Sequence, residues 1–95
     1  MRIHFPVYLQ YKMEKDKFNS LTQVQKLLLI MESGRLFLEK KEEDRLLKLY
    51  IYKKFYVEVV YDSKSNKVQK IDTPEAEYIV DEYMDVLTVD DLLNL

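Results

Sequence analysis

Between Arg35 and Asp72 the chain is cut by short polar stops, and between them apolar residues alternate with polar ones or run beside β-branched and aromatic neighbours. The stretch RLFLEKK (35–41) alternates and stops at EED. RLLKLYIYK (45–53) and FYVEVVYD (55–62) are rich in the residue types that fill a pleated, half-buried surface. DSKSN (62–66) is turn chemistry, with side chains able to bond their own backbone, and KVQKID (67–72) continues as a shorter run. These patterns predict three or four strands, and connections this short predict an antiparallel meander.

On either side the period lengthens to that of a helix. Ser20 followed by Gln23 has the spacing of a capping box, and Gly34, the only glycine, stands where a left-handed cap favours a residue without Cβ. The first helix is therefore predicted over 21–33, with Leu21, Val24, Leu27, Leu28 and Met31 as its inward stripe and Leu29 and Ile30 outside it. Thr73-Pro74 predicts the start of a second helix over 74–87, with Thr73 as N-cap. Its apolar half is Ala76, Ile79, Val80, Tyr83, Met84, Val86 and Leu87, and its polar half is Glu75, Glu77, Tyr78, Asp81, Glu82 and Asp85. TVDDLLNL predicts a last short helical turn. MRIHFPVYLQYK alternates loosely, and Pro6 suits an extra edge strand there. The expected fold class is α+β: one domain over residues 1–95, a three- to four-stranded antiparallel meander sheet with two amphipathic helices on one face.

The hairpin at Lys53-Lys54 decides which side chains share a face, because side chains alternate with a period of two. Lysine tolerates the positive φ of a two-residue turn badly. A three-residue loop, 53–55, pairs Tyr52 with Tyr56 and Ile51 with Val57, and gives one fully apolar face that includes Tyr61. The other face then carries Phe37, Tyr50, Tyr52 and Tyr56, a candidate subunit contact or ligand face that the N-terminal segment or a second copy would cover. A two-residue loop instead puts Glu58 into the apolar set, which is the more costly arrangement.

Charge sharpens this picture. The chain has a formal net charge of −2, but residues 1–54 hold 12 Lys/Arg against 7 Asp/Glu, while residues 55–95 hold 3 against 10. No lysine or arginine follows Lys70. The outer face of the second helix therefore gathers Glu77, Asp81, Glu82 and Asp85 around Tyr78. A field of one sign with an aromatic in its midst suits docking of a basic protein. The same acidity repels phosphates, so nucleic acid is not an expected partner. No apolar run reaches the roughly 18 residues of a membrane span, and the opening segment lacks signal-peptide features, so a cytoplasmic location is expected.

Candidate catalytic chemistry is sparse. There is no cysteine and a single histidine, His4, which leaves no usual zinc set and no histidine-based triad. One glycine cannot build a phosphate-binding loop. Glu42-Glu43-Asp44 lacks the glycine of a calcium loop and reads as a solvated turn. No catalytic residue, cofactor or metal is expected.

LLKLYIYKKFYVEVVYDSKSNKVQKI (46–71) resembles small uncharacterised bacterial proteins built around an F-Y-V-E-V-x-Y hairpin strand. The resemblance covers about a quarter of the chain, and it implies a compact cytoplasmic α+β protein with no assigned activity and no site residue to carry over. The leading expectation is a non-catalytic interaction module, inhibitor- or immunity-like, using its acidic C-terminal helix. The alternatives are a structural homo-oligomer joined through the tyrosine-rich sheet face, and a small ligand-binding domain or enzyme.

Overall fold

The computed structural model describes residues 7–95, with side chains from Lys12 onward. The order is α1 (Val7–Asn19), α2 (Gln23–Ser33), β1 (Arg35–Lys41), β2 (Arg45–Tyr52), β3 (Phe55–Asp62), β4 (Val68–Asp72), α3 (Ala76–Tyr83) and α4 (Val89–Leu93). The strands form one antiparallel sheet in the order β1-β2-β3-β4, the expected meander. The expected edge strand in the N-terminal segment is instead helix from Val7 onward, and residues 1–6, with His4, lie outside the described residues. Phe18 explains how α1 is held: it is the buried residue among its described side chains, against Tyr52 and Phe55 at ring-centroid distances of 5.4 and 5.7 Å.

The hairpin differs from the expected one, and the difference reorganises both faces of the sheet. Tyr52 pairs with Phe55, so Lys53-Lys54 is a two-residue loop, and Lys53 takes the positive φ of 53° that such a loop requires. Even positions of β2 then share a face with odd positions of β3. That face holds Tyr50, Tyr52, Phe55, Val57 and Val59, packed with Phe18 of α1 and with Leu27, Leu29 and Ile30 of α2. The opposite face holds Leu47, Leu49 and Val60 under Ile79 and Tyr83 of α3. Helices thus cover both faces rather than one, and the sheet is the middle of three layers.

Phe37, Tyr50, Tyr52 and Tyr56 consequently do not form one surface. Tyr50 and Tyr52 lie beneath the chain's own first two helices. Tyr56 lies on the other face, stacked on Phe37 at 6.1 Å. Tyr61, expected on the face opposite Tyr50, shares the margin of the first core with it, half-buried, with the Lys48 ammonium over its ring.

Helix ends are corrected in the same way, by hydrogen bonds the chain uses elsewhere. Ser20 belongs to the end of α1, where its hydroxyl donates to the Lys17 carbonyl. The capping box of α2 is therefore Thr22 with Gln25. Thr73 does not cap α3, because its hydroxyl accepts from the Asn19 side-chain amide and ties the end of α1 to the β4–α3 connection; Glu75 is the N-cap residue. Gly34 follows α2 in extended backbone, φ −81°, so handedness is not why glycine is there. Its N–H donates to the Ile30 carbonyl at 2.8 Å, and a Cβ would sit 2.7 Å from that same oxygen.

The apolar stripe of α2 is also rotated from expectation. Leu27, Leu29 and Ile30 face the sheet, whereas Val24, Leu28 and Met31 point outward at 66%, 59% and 81% exposure. The buried residues of α3 are Ile79 and Tyr83; the helix ends at Tyr83 rather than running to 87, and Met84 and Val86 beyond it are exposed. The sequence LLLI is apolar around most of a helical turn, so its pattern alone does not choose the face.

Candidate functional site

The two-residue hairpin loop places Glu58 in the middle of β3, facing α3, with Leu49 on one side and Asp72 of β4 on the other. Its side chain is 1% exposed. A carboxylate in such a position needs donors, because burying it unpaired costs several kcal/mol. Two residues of α3 supply them. The Tyr83 hydroxyl donates to Oε2 at 2.8 Å. The Tyr78 hydroxyl lies within reach of both oxygens, at 3.0 Å from Oε1 and 3.1 Å from Oε2. The spacing from 78 to 83 brings two hydroxyls from one helix onto one carboxyl group.

Burial, and then the hydrogen bond and charge of Glu58, push the Tyr83 phenol well above the usual tyrosine range. Burial and the Glu58 charge do the same to Tyr78. Both hydroxyls therefore keep their protons and act as donors. No lysine or arginine among the described residues forms an ion pair with Glu58. The carboxylate is satisfied in hydrogen bonds but not in charge.

Above this network an open cleft of about 550 Å³ lies between the end of β4 and the start of α3. Glu58 is at its floor, Tyr78 forms a wall, and Asp72, Thr73, Glu75 and Lys70 line the rim. Lys70 approaches Asp72 at 3.5 Å, with both side chains about half exposed. Lys15 of α1 pairs with Glu75.

The acidic row is exposed at Glu77 and Asp81 on α3 and at Asp85 just past its end, and half-buried at Glu82. The two ends of the acidic face are compensated from the basic first half of the chain: Lys15 answers Glu75, and Lys40 pairs with Asp85 at 3.2 Å while donating to the Glu82 carbonyl. Glu77 and Asp81 form no ion pair among the described residues and flank a shallow hollow made by Ala76 and Val80. Tyr78 is not the free anchor the pattern implied. The residue is 40% exposed, but its hydroxyl is committed to Glu58.

Glu58 itself was not among the expected site residues. The signal for it was the pairing of needs: a tyrosine on the buried face of α3 requires a polar partner, and a glutamate inside a core strand requires donors. At the β1–β2 turn, Arg45 Nη2 donates to both Glu42 oxygens, at 3.1 Å to Oε1 and 3.0 Å to Oε2, which holds the Glu42 carboxyl below the usual carboxylate range. Among the described residues no group of three or more His, Cys, Asp or Glu is arranged to hold a metal ion, and no helix is long and apolar enough to cross a membrane. Comparison with known protein families, with curated proteins and with solved structures found no match.

Proposed function

We propose that the protein is a non-catalytic interaction module, of the inhibitor or immunity kind, that offers the outer face of α3 to a basic protein. The observation that carries this reading is the pair Glu77 and Asp81, exposed and without a cation among the described residues beside the Ala76–Val80 hollow, while their neighbours Glu75 and Asp85 already have partners. An apolar dip between two carboxylates fits a lysine or arginine stem with its charged head. Titrating the isotope-labelled protein with a lysine-rich helical peptide at low salt should shift the amides of residues 76–81 first. The variant Glu77→Lys/Asp81→Lys should keep its fold and bind about tenfold more weakly, the difference shrinking as salt rises. Shifts centred elsewhere, or unchanged affinity, would remove α3 as the docking face.

A second reading, self-association, is favoured by Val24, Leu28 and Met31, which repeat at helical spacing along the open side of α2. In this reading the contact is α2, since the chain's own helices cover Tyr50 and Tyr52. Light scattering should then report a dimer that Leu28→Glu converts to a monomer with unchanged helicity. A wild-type monomer at high concentration would discard it.

A further inference from the structure

The cleft over Glu58 has an imbalance that its own residues do not correct. Glu58 and Asp72 are directly opposite on adjacent strands, and like charges in that position repel. Three acids, Glu58, Asp72 and Glu75, line the cleft. Lys15 is engaged by Glu75 and Lys70 lies near Asp72, which leaves the buried Glu58 without a cation among the described residues. A negative charge beneath a low-dielectric floor focuses its field into the cleft mouth. The wall of that mouth is an aromatic ring, Tyr78, with part of its surface free.

We propose that this cleft binds a guanidinium group, the head of an arginine side chain on the basic partner; this rests on the reading of α3 as the docking face and names its anchor. A guanidinium fits for three reasons. It is planar and stacks on an aromatic wall. Its fork of N–H donors matches the exposed Asp72 carboxylate in two parallel bonds. It is weakly hydrated, so it enters a half-buried site at lower cost than an ammonium. Glu58 acts from below through its charge, and Asp72 makes the direct contact. Lys70, half exposed on a flexible stem, swings away from Asp72 when the guanidinium enters. The cleft volume falls within the range of small-ligand sites and accommodates a whole arginine side chain.

The probe is an acetylated, amidated Gly-Arg-Gly peptide, compared with the same peptide carrying citrulline, which has nearly the same shape and no charge. Binding is read from the amide shifts of Asp72, Thr73 and Tyr78 and from the Tyr78 ring resonances. The arginine peptide should shift these signals saturably and the citrulline peptide should not. Asp72→Asn, a change at an exposed position that leaves the fold intact, should weaken the arginine peptide about tenfold. Lys70→Ala should tighten it by removing the competing cation. Equal shifts from both peptides, or no response at the cleft, would overturn the proposal. If the lysine-rich peptide shifts residues 76–81 while the arginine peptide leaves the cleft unmoved, the docking face stands and the anchor falls. If the arginine peptide fills the cleft while the lysine-rich peptide leaves 76–81 unmoved, the cleft stands and the docking face falls.

Discussion

Replacing Tyr83 with phenylalanine is expected to destabilise the protein by about 1.5–3 kcal/mol, and replacing it with alanine by about 3–5 kcal/mol. Tyr83, the last residue of α3, is fully buried against the sheet and donates to the buried Glu58 carboxylate. Phenylalanine keeps the ring and leaves Oε2 with only the longer Tyr78 contact. Alanine also leaves a cavity beside Leu47, Leu49 and Ile79. A domain of this size has a total stability of about 5–15 kcal/mol, so the alanine variant sits close to unfolding at ambient temperature. Urea titration separates the two. The pH dependence has a definite sign. Tyr83 has its pKa raised in the folded state, so its contribution is complete below the ordinary tyrosine value and is lost as pH rises above it. Stability should therefore fall above about pH 10, where the unfolded phenol ionises first, and the fall should be shallower in Tyr83→Phe.

The second large effect is expected at Phe18. Truncation to alanine should cost about 3–5 kcal/mol and should detach α1, because Phe18 is the buried contact among the described side chains of that helix. Its ring packs on Tyr52 and Phe55, so Tyr52 and its neighbour Tyr50 should gain solvent exposure. Far-ultraviolet circular dichroism should record a loss of helix, and amide exchange should speed up over residues 12–19 before it does in the sheet. Uniform acceleration across the chain would show that α1 is not a separately detachable element.

Much of the sheet was legible because strand chemistry and polar stops agree: β1 and β3 fall on the expected ranges, and β2 and β4 differ by one residue at an end. The N-terminal helix was not legible. VYLQYKMEKDKFN has no continuous apolar stripe, and its described side chains are placed by distant contacts, Phe18 on the hairpin, Asn19 on Thr73 and Lys15 on Glu75. The helix caps were misassigned where a polar side chain had a more remote partner. Thr73 carries a cap pattern, but its hydroxyl is engaged by Asn19, 54 residues away.

The hairpin register holds the main physical lesson. A rule of minimum cost, which keeps glutamate off the apolar face and lysine out of positive φ, selects a three-residue loop. The protein takes both costs, with Lys53 at φ 53° and Glu58 in the core. Two hydroxyls from α3, some 20 and 25 residues further on, offset the second. Departures from local rules concentrate where a structure has something to position. Here that departure lies under the cleft, and the register that separated the tyrosines of the expected sheet face also brought Glu58, Asp72 and Tyr78 together.

Glu58 and the tyrosines of α3 form one network, which docks α3 on the sheet and leaves a buried negative charge at the floor of the cleft. The measurement that tests it most directly is a double-mutant cycle of Glu58→Leu and Tyr83→Phe by equilibrium urea unfolding. Each single change strands the other partner, and removing both strands neither of this pair. The double variant should be more stable than the sum of the single losses allows, with a coupling of about 1–3 kcal/mol. Losses that simply add would contradict it.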